Sequence, residues 1–485
     1  MTADPSARPT PPRSAHAGVE AERVEAGYLE RRRLRTGTAG WLLLAGLGVS
    51  AVISGDYAGW NFGLAEGGFG GLLIAVVLMA VMYTAMVFGL AELGSALPTA
   101  GGGYTFARRA LGPWGGYATG VAVLIEYAIA PAAIATFIGA YVESLGLFGI
   151  TDGWWVYLVA YAIFIGIHLA GVGEALKVMF VITAIALVGL LVFAIAAVGH
   201  FDVANLTDMA VDESAAGASS WLPNGYLGIW AAFPFAIWFF LAIEGVPLAA
   251  EETANPERNV PRGIIAGMGV LLVTCAAVLI LTTGAGGAAA MSASGNPLVE
   301  ALGDGTAAKI VNYIGLAGLI ASFFSIIYAY SRQLFALSRA GYLPKALSVT
   351  NSRKAPMLAL IVPGIIGFVL SLTGQGAMLL NMAVFGAALS YVLMMISHIV
   401  LRRREPDMPR PYRTPGGVAT TGFALVIGVF AVIATFLVDP VAAGWCLAVF
   451  AAFMLYFAVY SRHRLVANSP DEEFAMLARA EDELK

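Results

Sequence analysis

Long apolar runs follow one another along this chain, separated by short polar connections. Each is about 20 residues long, enough to cross the hydrocarbon core of a bilayer as an α-helix. Such segments lie near residues 38–65, 70–96, 115–144, 154–171, 177–199, 226–250, 263–285, 308–338, 356–374, 377–401, 418–437 and 441–461. The pattern predicts an all-α integral membrane protein with twelve transmembrane helices. Residues 1–36 read as a cytoplasmic N-terminal tail and 462–485 as a cytoplasmic C-terminal tail. Spans 1–5 (37–200) and spans 6–10 (226–401) then form two repeats, and spans 11 and 12 (418–461) follow them. An odd number of spans per repeat inverts one half relative to the other, a five-plus-five inverted repeat.

Composition agrees. The chain has 485 residues, 59% hydrophobic and only 12% charged, where a soluble domain carries about 25% charged residues. The net charge of -4 says less than charge placement. With the N-terminus inside, every lysine and arginine except Lys309 falls on the cytoplasmic side or at span ends facing it. That asymmetry predicts an inner-membrane protein with both termini cytoplasmic. The tail holds Pro9, Pro11, Pro12 and the cluster Arg31, Arg32, Arg33 and Arg35, without the apolar run and cleavage site of a secretory leader. The connection 200–225 carries Asp202, Asp208, Asp212 and Glu213 and reads as a solvated loop. Cys275 and Cys446 lie in apolar stretches and read as buried small residues, with no disulfide or metal site. His16, His168, His200, His398 and His463 are scattered. No metal cluster, nucleophile–base pair, cofactor motif or nucleic-acid-binding pattern stands out, so an enzyme is the least favoured class.

Two apolar segments are interrupted. The first is "VISGDYAG" in span 1; the second is "FPFAIWFFLAIEGVPL" in span 6, where Pro234, Gly245 and Pro247 bracket aromatics and one glutamate. Paired interruptions at matching places of two halves point to the midplane site of a secondary transporter. Backbone freed at that depth needs protein, water or ligand partners. Three carboxyl groups lie within the apolar segments: Asp56, Glu126 in "LIEYAIAPAA" of span 3, and Glu244 in span 6. No lysine or arginine matches their depth, which leaves a cationic ligand, a proton or local hydrogen bonds as partners. Asp56 reads either as the N-cap of a half-helix starting at Tyr57 or as the counter-ion of an amine. Glu244 reads either as a structural hydrogen-bonding group or as a carboxyl that takes and releases a proton during transport. Glu126 belongs either to the site or to bundle packing. Trp238, Phe239 and Phe240 at the second break either pack the bundle or close over an ammonium by cation–π attraction.

The motifs extend this reading. "AELGSALPTAGGGYTFARRALGPWGG" between spans 2 and 3, "IEGVPLAAEETANPERNVPRGI" after span 6, "SRQLFALSRAGYLPKAL" between spans 8 and 9 and "RRREPDMPRPYRTP" between spans 10 and 11 stand in order along the chain. Together they resemble the amino acid–polyamine–organocation permeases, over nearly the whole chain after residue 36. Within that superfamily, "SGDYAGWNFGLAEGGFGGLLIA" and "LIEYAIAPAAIATFIGAYVESLGLF" resemble the bacterial ethanolamine permeases. The resemblance implies the inverted-repeat fold, with ligand held between the broken spans 1 and 6 and spans 3 and 8. It implies that Ser54 and Gly55 match the small residues of the first break, that Trp238 holds a gating position, and that Glu244 matches the family's span 6 glutamate. Two departures bear on function. Asp56 stands where amino-acid-carrying members keep small or apolar residues, so a carboxylate ligand is repelled and an ammonium attracted. Span 5 lacks the lysine of some proton-coupled relatives, with Ala186 near its place. Proton coupling then falls to Glu244, Glu126 or Asp56.

The expectation is a permease importing ethanolamine or a close small amine by alternating access, with a cationic substrate, the lipid bilayer and protons as its partners. The alternatives are an amino-acid or polyamine permease of the same family and a non-transporting membrane amine sensor.

Overall fold

The computed structural model describes residues 28, 30–32, 37, 39–146 and 153–466; most of the two tails falls outside them. The first helices are α1 (Trp41–Val52), α2 (Ser54–Tyr57), α3 (Phe62–Ala96), α4 (Gly103–Ser144), α5 (Trp154–Ala170) and α6 (Val172–Val198). After the outer connection come α7 (Gly225–Ala231), α8 (Phe233–Trp238), a 3-10 segment Ile243–Glu252 and α9 (Pro256–Gly286). Short helices α10 (Ala288–Met291) and α11 (Pro297–Leu302) lead to α12 (Thr306–Arg339), α13 (Met357–Ser371), α14 (Gly376–Arg404), α15 (Val418–Val438) and α16 (Pro440–Val459).

Among the described residues, nine helical segments are long and apolar enough to cross a membrane. The shorter apolar helices Trp41–Tyr57, Trp154–Ala170 and Met357–Ser371 occupy the remaining hydropathy segments. This is an all-helical, multi-pass membrane protein. Its outer faces are apolar: Ile195, Leu227, Val273 and Val459 are each at least 69% exposed, which in a bilayer places them against lipid.

Two long helices change direction at glycines. Gly68 in α3 has φ 63° and Gly112 in α4 has φ 76°, in the left-handed region that L side chains resist. The Gly68 kink sets Phe62–Gly67 apart as a short half-helix. Span 1 therefore runs as Trp41–Tyr57, an irregular stretch 58–61, and this half-helix. Span 6 is built alike: α7 and α8, a turn at 239–242 with Ala242 in the left-handed region at φ 81°, then the 3-10 segment. The break in span 1 lies beyond the Ser-Gly-Asp sequence. Ile53 is still right-handed helical, so Ser54, Gly55 and Asp56 form the last turn of the first half-helix, and Ala58 leaves it at φ −159°.

The structure gathers basic residues at one end of the bundle. There Arg109 meets Glu405 at 2.9 Å and Arg339 meets Glu251 at 2.6 Å. The same end holds the buried pair Arg332–Glu252 at 2.8 Å, which fastens the 3-10 segment to α12. Glu92, at the end of α3, receives Arg402 at 2.5 Å and Arg410 at 2.9 Å. These ion pairs tie together helices and connections distant in sequence.

Candidate functional site: two breaks and three buried acids

The two breaks touch. The indole Nε1 of Trp238 donates to the carbonyl of Ala58 at 2.9 Å. The Cα of Gly55 lies so near the Trp238 carbonyl that any Cβ there would stand 2.5 Å from its oxygen. Gly59, at φ 97°, leaves room for the Trp238 ring. Phe239 stacks on Trp60, ring centroids 5.3 Å apart and planes 27° from parallel. Trp238 thus braces one break against the other. Asn61 closes the first break: its Oδ1 accepts from the Gly59 N–H at 3.1 Å, and its Nδ2 donates to the carbonyls of Met291 and Ser294, each at 2.8 Å.

The last turn of the first half-helix sends each side chain to a different neighbour. Ser54 Oγ lies 2.8 Å from Ser322 Oγ of α12. Ser322 in turn donates to the Ala51 carbonyl at 2.6 Å, so Ser54 is the donor in the pair. Tyr57 reaches the Ala186 carbonyl of α6 at 2.7 Å. Asp56 is fully buried against the Thr274 hydroxyl and Cys275 of α9, and neither carboxyl oxygen has a donor in close hydrogen-bond geometry. The N-cap reading of Asp56 fails, because the helix does not start at Tyr57 and no backbone N–H reaches the carboxyl.

A second acidic centre lies between α4, α14 and the 3-10 segment. Tyr127 Oη donates to Glu244 Oε1 at 2.6 Å, and Tyr391 Oη donates to Oε2 at 3.1 Å. Tyr83 of α3 donates to Tyr391 at 3.0 Å. The Phe240 ring packs 5.3 Å from the Tyr83 ring, connecting this centre to the second break. Glu126, fully buried, lies beside Glu244 and Tyr391, and neither of its oxygens has a partner in hydrogen-bond geometry. Glu126 and Glu244 therefore form one centre and Asp56 another. The structure does not bring Asp56 and Glu126 together.

Chemically, both centres offer acceptors. The carboxyl oxygens of Asp56 face the Thr274 hydroxyl and those of Glu126 face Glu244 and the Tyr391 hydroxyl, none of them in close hydrogen-bond geometry. Among the described residues no group of three or more histidine, cysteine or acidic side chains is arranged to hold a metal, and Cys275 and Cys446 are free and buried.

The sequence model of a family described as "Amino acid permease" matches residues 41–468. The chain belongs to the amino acid permease family. It is a transporter rather than an enzyme, in a family that moves small amino-acid-like substrates across membranes. It is similar to a branched-chain amino acid permease of Bacillus subtilis, 25% identical over 415 residues, covering 80% of this chain and 85% of the relative. A methylthioribose transporter of the same organism is 28% identical over 424 residues, 81% and 87% of the two chains. A D-serine/D-alanine/glycine transporter of Escherichia coli K12 is 26% identical over 354 residues, 69% and 74%.

In this permease, sequence reading missed the tyrosines. Tyr127 follows Glu126 directly, and Tyr391 is a hydroxyl-bearing ring in a mainly apolar span. A hydroxyl-bearing ring in such a span was the available signal, because a buried tyrosine usually finds a partner for its hydroxyl. Thr274 and Ser322 gave no signal that distinguished them from other small polar residues of membrane helices.

Proposed function

We propose that this permease is a secondary transporter importing ethanolamine or a close small primary amine. The observation that carries the reading is that the buried carboxyl groups of Asp56 and Glu126 meet no basic side chain among the described residues, and their oxygens have no donor in close hydrogen-bond geometry. A primary ammonium brings three N–H donors and a positive charge, the complement of such acceptors. An amino acid would bring its own carboxylate into a region already rich in buried acid. The backbone near the first break offers such a carboxylate little: the N–H groups of Asp56, Ala58 and Gly59 are bonded to Ile53, Ser54 and Asn61. The interlocked aromatics Trp238, Phe239 and Phe240 supply the gate, and Glu244 with Glu126 supplies the groups for proton coupling. Both termini face the cytoplasm of an inner-membrane protein, the twelve apolar segments all cross, and spans 1–5 and 6–10 are the inverted repeats. The inside-negative potential then favours cation entry by about 2.3 kcal/mol per 100 mV.

Uptake of labelled ethanolamine into liposomes containing the purified protein tests this, with alanine, choline and putrescine as competitors and several imposed pH gradients. Ethanolamine flux that choline and alanine leave intact is expected; no ethanolamine flux overturns the reading. Asp56→Asn and Glu126→Gln, compared for ethanolamine affinity, tell which acid holds the ammonium. A second reading, an amino-acid permease, rests on the relatives, whose names include branched-chain amino acids and D-serine, D-alanine and glycine. Alanine flux without ethanolamine flux would favour it.

A further inference from the structure

At the basic end of the bundle, a groove of about 530 Å³ opens between the starts of α1 and α9 and the connection before α15. Trp41, Pro261, Arg262, Ile265, Ala266 and Tyr412 line it. The parallel bridge between Ala39 and Thr253 holds the two helix starts side by side. The groove therefore sits where spans enter the bilayer, at the depth favoured by tryptophan and tyrosine. Its polar end is Arg262, exposed and without an ion-pair partner among the described residues. Its floor continues from Arg262 to Ile265 and Ala266 one turn on, and then to exposed Val270 and Val273, positions that follow one another on one helical face.

The charges around the groove are accounted for. Glu92, which neighbours Tyr412, is already met by Arg402 and Arg410. Glu257 and Arg258, exposed in the first turn of α9, are one of each sign. Arg413, next to Tyr412, is exposed. The balance at the groove is positive, and its shape joins a cationic head to an apolar track along the membrane-facing side of α9.

We propose that this groove is a binding site for an anionic phospholipid. The phosphate lies against Arg262, the glycerol region sits between Trp41 and Tyr412, and an acyl chain runs along Ile265, Ala266 and Val273. The site is separate from the buried acids, so it stands whatever the transported substrate.

Native mass spectrometry of the detergent-solubilised protein, titrated with phosphatidylglycerol or phosphatidylcholine, tests it. The protein is expected to retain one phosphatidylglycerol in preference to phosphatidylcholine. Arg262→Ala should weaken that binding about fivefold, the loss expected for one basic residue near a membrane surface. Arg262→Glu should weaken it further, and Arg262→Lys should keep it within about twofold of wild type. Ala266→Trp, which fills the track and leaves the charge, should also weaken it, and excess inorganic phosphate should not displace the lipid. Unchanged phosphatidylglycerol binding in Arg262→Glu would overturn the proposal. So would a site that inorganic phosphate empties and Ala266→Trp leaves intact, which would be a phosphate site and not a lipid site. A thermal transition in detergent matching wild type shows that each variant is folded.

Discussion

Glu92 and Glu252 at the basic end of the bundle are buried as deeply as Asp56, Glu126 and Glu244 within it, and Glu251 only a little less, but the two groups live differently. Glu92, Glu251 and Glu252 each meet an arginine. Asp56, Glu126 and Glu244 meet none; Glu244 has two tyrosine hydroxyls, and the other two have no donor in close hydrogen-bond geometry. Burial alone therefore does not mark a working acid in this protein. A carboxylate whose charge is already matched holds helices together; under the proposed function, one whose charge is unmatched takes the substrate cation or a proton. Variants that remove one acid from each group separate the two roles.

The largest effect on folding is expected at Glu252. It receives Arg332 at 2.8 Å and the hydroxyl of Tyr328, and Arg332 is fully buried. Glu252→Ala strands a guanidinium that cannot give up its proton, at a cost of about 3–5 kcal/mol. The thermal transition in detergent should fall sharply. Pairing Glu252→Leu with Arg332→Met should recover much of the loss, since no unmatched charge then remains. If Glu252→Ala melted like wild type, the matched acids would not be structural.

Glu126→Gln should behave in the opposite way, leaving the thermal transition near wild type and costing transport. Where a buried charge contacts a bound cation, its loss costs about 2–5 kcal/mol, so ethanolamine affinity should fall at least tenfold. A proton and an ammonium compete for the same oxygens, so wild-type affinity should fall on acidification, and Glu126→Gln should flatten that dependence. Amine titrations of the purified protein across pH read both effects. Unchanged affinity would leave Asp56 as the acid that holds the amine.

Tyr391→Phe is a milder version of the same test. It keeps the ring and removes a hydroxyl bonded to Glu244 and Tyr83. A hydrogen bond to a charged group contributes about 1.5–3 kcal/mol, so maximal uptake should fall by roughly tenfold or more. A comparable loss in Tyr127→Phe would show that both hydroxyls position Glu244. Uptake at the wild-type rate in both variants would detach Glu244 from the transport cycle.

Much of the architecture was legible in the sequence, because apolar runs of membrane-spanning length and asymmetric basic residues are strong constraints on a chain in lipid. Each hydropathy segment falls on a helix or a pair of half-helices. The breaks were legible as interrupted helices, but their register was not. Ser-Gly-Asp looks like poor helix interior, yet it forms the end of a half-helix, and the chain unwinds from Ala58 to Asn61. Propensity is a weak guide there, because the Trp238 and Asn61 contacts decide where the helix stops. The grouping of the acids was not legible either. Asp56 stands at a break and Glu126 within span 3, but nothing in the sequence says which of them shares a centre with Glu244; only packing turns one toward α9 and the other toward Glu244.

That packing also bears on Ser54, whose place beside the break suggested a substrate contact. Its hydroxyl donates to Ser322, which in turn donates a hydrogen bond to the Ala51 carbonyl. Ser54→Ala removes one link of this chain and leaves the bond from Ser322 to Ala51 in place. Hydrogen bonds between membrane helices average about 0.6 kcal/mol, because the unfolded chain in the bilayer finds partners as well. The expected result is a small drop in the thermal transition, with ethanolamine affinity within about threefold of wild type. A loss of affinity much larger than the loss of stability would place the Ser54 hydroxyl on the substrate. Such a contact would leave the pairing of α2 with α12 intact, since the hydroxyl can accept an ammonium N–H on a lone pair while its one proton stays on Ser322.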